Sequence, residues 1–263
     1  MDLTEVKHQT NVYIRHPWEL ARFEVIISLL KKTAPKLLLK SPMVLDVGCG
    51  DLYFAEQFVK NNPSSTVFAI DNAFSDPKLK ELNLQYQNTP INIYNSVEKI
   101  EHTIKPKADI VLLLDVIEHI ENDQLFLEQL ICSDLIGKET LFVITVPAYQ
   151  KLFTSHDIYL KHYRRYNNKM LKELFEKVKL VPVETGYFFT SLLFPRIAKK
   201  WLEKFKKSDV VHERGIGEWT SQPIKDFLIR NFLVIDFHFS QVLRKAGIKL
   251  PGLSNYAICR TAV

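Results

Sequence analysis

Residues 44–55 read VLDVGCGDLYFA. An apolar run carries one acid, Asp46, bends through Gly48, Cys49 and Gly50, and then returns to apolar residues. The chain has only 8 glycines in 263 residues, and two of them stand directly behind what reads as a buried strand. Glycine accepts a positive φ and lets backbone approach a ligand with no Cβ in the way. In an open parallel sheet, ligands sit beyond the carboxyl ends of the strands, closest to the first strand-to-helix turn. Gly48 and Gly50 therefore mark a turn against which something packs.

The surrounding pattern gives the fold class. Apolar runs at MVLDV (43–47), TVFAI (66–70), INIY (91–94), DIVLLL (109–114) and ETLFVITV (139–146) alternate with helical segments such as Leu52 to Lys60 and Asp123 to Cys132. Runs of this kind are strands buried on both faces, and their alternation with helices predicts an α/β fold with a parallel, doubly wound sheet. An amphipathic helix at 16–32 leads in, a helix at 168–178 and a strand from Val181 to Phe189 follow, and the tail 253–263 closes the sheet. The whole of 1–263 reads as a single domain. It comprises a helical lead (1–40), a cofactor-binding core (41–148), a lid or substrate segment (149–166) and a helical elaboration (190–252) before the final strand.

Composition fits this reading: 46% hydrophobic and 25% charged residues support one sizeable core. Cys49, Cys132 and Cys259 are an odd number at spacings that suit neither a disulfide framework nor a metal knuckle, as expected of a reduced, cytoplasmic protein. The first ten residues, MDLTEVKHQT, contain acids and no apolar core, so no secretory leader is expected. Phe227 to Phe239 is too short for a bilayer and is interrupted by Arg230, Asn231 and Asp236. The stretch PRIAKKWLEKFKK (195–207) holds six bases and one acid, which accounts for the entire net charge of +5. Nucleic-acid binding calls for a broader basic footprint, so no nucleic-acid partner is expected.

What the turn binds follows partly from what is missing. A dinucleotide loop needs a third glycine where this chain has Tyr53, and the Gly-Lys-Ser/Thr of a triphosphate loop never occurs. Asp46 and Asp51 instead flank the turn, and carboxylates favour a cationic group over phosphate. Asp71, with Asn72 beside it, ends the second strand about where a nucleoside-binding sheet places an acid for ribose hydroxyls. Asn95 and Ser96 follow the third strand and suit an adenine edge. The expected ligand is a nucleoside with a positively charged arm. A plainer reading makes the glycines a tight turn, Asp71 a helix cap and Asp46 a structural acid.

These residues also carry a resemblance. VLDVGCG (44–50) resembles the first motif of class I S-adenosylmethionine-dependent methyltransferases, FAID (68–71) their second and DIVLLLDVIEHI (109–120) their fourth, over about residues 40–148. The resemblance implies a Rossmann-like seven-stranded sheet with an antiparallel last strand. It implies S-adenosylmethionine as cofactor, held by Asp46, Gly48, Gly50, Asp71, Asn72, Asn95, Ser96 and Asp115.

Methyl transfer from a sulfonium is an in-line displacement, so the protein positions the acceptor and, where needed, removes its proton. Asp115, Glu118 and His119 would share one face of a starting helical turn. His119 is then a general base tuned by Glu118, or the three hold a divalent metal, or Asp115 and Glu118 form a capping box. Similar acid-x-x-Glu-His residues occur in quinone-pathway O-methyltransferases, where a metal role is implied. The base reading is preferred and no metal is assigned.

A second constellation is SHDIYLKHYRRY (155–166), which resembles a bacterial small-molecule and lipid-pathway branch of these enzymes with an HD…HYRRY insertion. His156 or His162 would take a proton, Asp157 would orient the imidazole, and Arg164 with Arg165, beside Tyr163, would clamp an anionic substrate. The competing reading is a lid helix whose arginines pair with local acids.

In the elaboration, Leu193, Phe194, Ile197, Trp201, Leu202 and Phe205 recur at helical spacing opposite lysines, which suits peripheral membrane contact through 193–207 or cover for the domain itself. The helix at 222–245 is apolar on nearly every side, so it is expected to be buried, to pair in a homodimer or to wall an apolar pocket. The function expected is S-adenosylmethionine-dependent O-methylation of a small hydrophobic or lipid-linked acceptor, anionic or phenolic. The alternative is a non-catalytic S-adenosylmethionine-binding sensor or scaffold. Amino-methylation of nucleic acid lacks its Asn/Asp-Pro-Pro-aromatic motif.

Overall fold

A computed structural model describes residues 15–101, 107–203 and 222–262. Its strands are β1 (Met43–Val47), β2 (Thr66–Ile70), β3 (Ile91–Tyr94), β4 (Ala108–Leu114), β5 (Ile136–Pro147), β6 (Leu180–Phe188) and β7 (Ser254–Thr261). They form one sheet in the order β3-β2-β1-β4-β5-β7-β6. The pairs β1–β2, β1–β4, β2–β3 and β4–β5 are parallel, whereas β7 runs antiparallel between β5 and β6. This is the expected Rossmann-like sheet with a reversed last strand. The strand order turns back between β1 and β4, which places the ends of those strands at a topological switch point.

Both faces of the sheet are covered, which is why its central strands read as unbroken apolar runs. Side chains alternate along a strand: Val44, Ile110 and Leu141 join one core cluster, and Leu45, Val111 and Phe142 join the other. The first cluster takes in α1 (Pro17–Thr33) and α3 (Tyr53–Asn61). The second takes in α6 (Asp123–Cys132) and α8 (Asn168–Lys177). The short helices α2 (Pro35–Leu39), α4 (Asp76–Gln85), α5 (Glu98–Glu101) and α7 (Ser155–Tyr159) fill the connections. Helix α1 starts at a proline, whose missing N–H costs nothing there, and the His16 ring accepts from the Trp18 N–H. Asn122 and Asn167 cap α6 and α8 in the same way through side-chain oxygens.

Of the alternatives for the elaboration, burial of the 222–245 helix is the one the structure does not bear out. Helix α10 (Pro223–Lys245) packs on α1 and buries Leu233, Phe237 and Ser240, but Ile224, Phe227, Leu228, Phe232, Ile235, Phe239 and Val242 are exposed. An apolar sequence all round does not make a buried helix here, because α1, α9 and β6 together cover only part of its surface. Helix α9 (Thr190–Glu203) likewise exposes Phe194, Ile197, Trp201 and Leu202. Residues 204–207 of the basic stretch, Phe205 among them, lie outside the described residues. No described helix is long and apolar enough to cross a membrane.

Candidate active site

The turn after β1 has the geometry its glycines imply: φ is +74° at Gly48 and +57° at Gly50. The N–H groups of Gly48 and Cys49 both donate to the Ile70 carbonyl, at 2.7 and 3.1 Å, which ties the turn to the end of β2. The Gly50 N–H donates to Asp71 Oδ2 at 2.9 Å, and the Ala73 N–H donates to Oδ1 at 2.9 Å. Asp71 therefore lies against the turn. An ionised carboxylate offers about four lone-pair sites, so acceptor capacity remains for two hydroxyls. A Cβ on Gly48 would stand 2.6 Å from Val116 Cγ2, so the loop after β4 closes on the same turn.

Asp46 is 2% exposed, and its Oδ2 has no hydrogen-bond partner. Burial pushes its pKa up to about 7, against the opposing pull of nearby Arg22. Asp51 is paired with Arg15 at 2.5 Å, and that guanidinium lies 3.7 Å over the Tyr53 ring. Asn72 is exposed and Ser96 half-buried. Asn95 makes two long bonds, to the Phe74 carbonyl and Asp76, while its Oδ1 is buried without a partner. Two orphaned buried acceptors, Asp46 Oδ2 and Asn95 Oδ1, thus border the strand ends.

The turn after β4 departs from the sequence reading. Asp115 has a positive φ of +57°, and the chain continues into a 3₁₀ turn over Ile117–His119 instead of an α-helix. Asp115 pairs with Arg22 at 2.9 Å and accepts from Thr145 Oγ1 at 2.9 Å. The shared face expected of Asp115, Glu118 and His119 is not formed, nor is a capping box, since Val116 stands at the cap without a side-chain bond. The backbone reversal at Asp115 turns its carboxylate toward α1 instead.

Glu118 is fully buried, with neither carboxylate oxygen hydrogen-bonded. Burial, with repulsion from Asp115 second, holds its carboxyl well above the usual carboxylate range. The His119 and His162 rings meet edge to face, 4.5 Å between centroids. Glu118, His119 and His162 each offer an atom within 4.8 Å of the others. Sequence spacing alone gave no signal for this group, because 43 residues separate His119 from His162.

Three residues of the later segment, Tyr163, Arg164 and Tyr166, bring the two segments together. The Tyr163 N–H donates to the Glu118 carbonyl at 2.8 Å. Arg164 pairs with Asp123 at 2.8 Å and donates to the Glu121 carbonyl at 2.5 Å. The buried Tyr166 hydroxyl donates to Asp123 at 2.6 Å, with the Ile117 carbonyl 3.2 Å away. Tyr163 itself projects outward, half-exposed.

Asp157, fully buried, is the hub behind His162. Its oxygens meet His162 Nδ1 at 3.0 Å, Arg165 Nε at 2.7 Å, an Arg196 guanidinium nitrogen at 2.6 Å and the Thr154 N–H at 2.8 Å. Burial alone would raise its pKa, but the His162 bond and the Arg165 charge hold it well below the usual range. The arginine clamp is accordingly not formed. Arg165 is 5% exposed and spent on Asp157 and the Ala148 carbonyl, while Arg164 turns the other way to Asp123. The two neighbouring arginines thus serve two different acids, Asp123 and Asp157, on separate segments. His156 stacks on Tyr159, 6.5 Å between centroids, and is not part of the Glu118 group.

A cleft of about 510 Å³ opens between α1, α3 and α10, lined by Phe23, Ile27, Tyr53 and Arg230 among others. None of Gly48, Gly50, Asp71 or Asp115 borders it.

The family described as "Methyltransferase domain" matches residues 18–185, more than half of the chain. The chain belongs to the methyltransferase domain family. The match ends within β6, before α9, α10 and β7. No curated protein matches. Among solved structures, the chain is similar to a putative sarcosine dimethylglycine methyltransferase from Galdieria sulphuraria, at 15% identity over 92% of this chain and 86% of that one, with a TM-score of 0.54. It is similar to phosphoethanolamine N-methyltransferase 2 of Haemonchus contortus, at 15% identity over 99% of this chain and 57% of that one, TM-score 0.55. A putative methyltransferase from Bacillus halodurans gives 14% identity, coverage of 90% and 99%, and a TM-score of 0.52. At such identities the likeness is one of fold.

Proposed function

We propose that this methyltransferase uses S-adenosylmethionine to methylate an oxygen of a small hydrophobic or lipid-linked acceptor. The observation that carries the cofactor reading is Asp71 bonded to the Gly50 N–H, beside a bend whose φ values only glycine adopts readily. The cofactor, when bound, supplies a methyl group on a cationic sulfur. Asp71 would hold the ribose hydroxyls, Asn95 Oδ1 the adenine amino group and Asp46 the positively charged arm. The buried, unpartnered state of the latter two oxygens supports that fit.

At the acceptor end, the loop after β4 rests on the glycine turn through Val116, and it carries Glu118 and His119 with it. His119 and His162 are the residues we assign to the acceptor's oxygen. The arginine and aspartate of the HD…HYRRY segment act as scaffold, through Asp157 and Arg165. An apolar acceptor is favoured by the exposed faces of α9 and α10, where Phe194, Trp201, Phe227 and Phe232 are each more than half exposed. The same faces support contact with a membrane surface that would present a lipid-linked acceptor.

Calorimetry with S-adenosylhomocysteine tests the cofactor reading, and Asp71→Ala should abolish the signal. Turnover on phenolic and lipid-linked hydroxyl acceptors tests the rest, with His119→Gln and His162→Gln inactive and His156→Gln active. Cofactor binding without turnover on any acceptor would favour the sensor reading, and no binding at all would end both.

A further inference from the structure

We propose that Glu118, His119 and His162 form a binding site for a divalent first-row transition-metal ion. Their ligating atoms lie within 4.8 Å of one another, close enough for one ion to meet all three after small side-chain adjustments. Two imidazoles and one carboxylate suit manganese, iron, cobalt or zinc better than calcium or magnesium, which prefer all-oxygen shells. Three protein ligands leave coordination positions for water or an acceptor oxygen.

The second observation is the state of Glu118. It is fully buried, yet neither carboxylate oxygen has a hydrogen-bond partner. A buried polar group left without partners is costly, so a native structure that keeps one has a use for it. A bound cation would give that buried carboxylate the partner it lacks.

The third observation lies one layer out. Metal-bound histidines commonly donate their other ring N–H to a carboxylate, which fixes the tautomer and the ring plane. His162 Nδ1 sits 3.0 Å from Asp157, leaving Nε2 as the nitrogen for an ion. Asp157 is in turn fixed by Arg165, Arg196 and the Thr154 N–H. This is a stiff second layer behind a ligand. The sequence reading grouped Asp115 with Glu118 and His119, but Asp115 belongs to Arg22 and Thr145, and His162 takes its place.

The use of the ion, to hold the acceptor hydroxyl and lower its pKa so that its proton passes to solvent water while both imidazoles stay on the ion, rests on the methyltransferase reading, whereas the site itself does not. The test is therefore binding. Protein stripped with chelator is titrated with Mn²⁺ followed by electron paramagnetic resonance and with Zn²⁺ followed by calorimetry, each without cofactor. One ion per chain is expected, with affinity reduced at least tenfold in Glu118→Gln and in His119→Gln, and about tenfold in Asp157→Asn through the second layer. Circular dichroism checks that each variant is folded, and His119→Gln, which leaves the Asp157 hub intact, serves if the others unfold. No saturable binding of either ion, or binding unchanged in both ligand variants, overturns the proposal. S-adenosylhomocysteine binding measured on the same samples separates the two readings: cofactor without metal defeats only the metal site, metal without cofactor only the methyltransferase.

Discussion

Replacing Asp46 by asparagine should change how stability depends on pH, in a direction that buried charge dictates. Asp46 sits at the end of β1, 2% exposed, and titrates near 7 in the folded protein against 3.8 for an unhindered aspartate. Between those values the native state holds a proton that the unfolded chain has released, so native stability falls as pH rises through that window. Each pH unit is worth about 1.4 kcal/mol, giving about 4 kcal/mol in all, of which about 2.5 falls between roughly pH 5 and pH 8. For a domain of this size that corresponds to about 5–10 °C in melting temperature. Asparagine is nearly isosteric and cannot ionise. Thermal melts from mild acid to mild alkali should therefore show wild type losing about 2.5 kcal/mol more than Asp46→Asn, and the variant more stable at the alkaline end. Parallel pH profiles for the two proteins would refute the argument, because they would show Asp46 ionised in the fold at no cost. A cationic ligand beside Asp46 would draw the proton off, so S-adenosylmethionine should bind more tightly as pH rises toward 8 and should release about one proton on binding near pH 6. Asp46→Asn should remove that linkage.

Other consequences can be checked with single variants. Asp157→Asn leaves Arg165 and Arg196 buried without their counter-charge and should cost about 3–5 kcal/mol, seen as a melting point lower by about 6–20 °C. Gly48→Ala should cost about 1–2 kcal/mol from its positive φ alone, and more from the approach of Val116. Adding Val116→Ala should recover the steric part but not the rest, as read from urea melts. Asp71→Asn should weaken S-adenosylhomocysteine at least tenfold in calorimetry, because a charged acceptor to hydroxyls is worth about 1.5–3 kcal/mol.

Much of the architecture was readable because strand burial writes itself into sequence. β1, β2 and β3 lie where their apolar runs put them, and the glycine bend at 48–50 with Asp71 against it follows from the strand-to-helix turn of a parallel sheet. The site beyond the bend was harder to read. Asp115, Glu118 and His119 seemed to share a face only if the chain entered an α-helix, and a positive φ at Asp115 prevents that. The paired Arg164 and Arg165 suggested a clamp, yet one pairs with Asp123 and the other with Asp157, partners that only the folded chain brings near. Helix α10 looked apolar on every side, and its exposure depends on how few neighbours reach it, which composition does not record.

Periodicity and glycine placement thus determined the sheet, its order of elements and the position of the turn that faces a ligand, because each depends on residues close in sequence or on a repeat that burial enforces. The meeting of His119 with His162, the Asp157 hub and the attachment of Asp115 to Arg22 were decided only in three dimensions. Each joins side chains from separate segments through contacts such as Tyr163 to Glu118 and Arg164 to Asp123, whose geometry exists only once the sheet has brought its loops to one end.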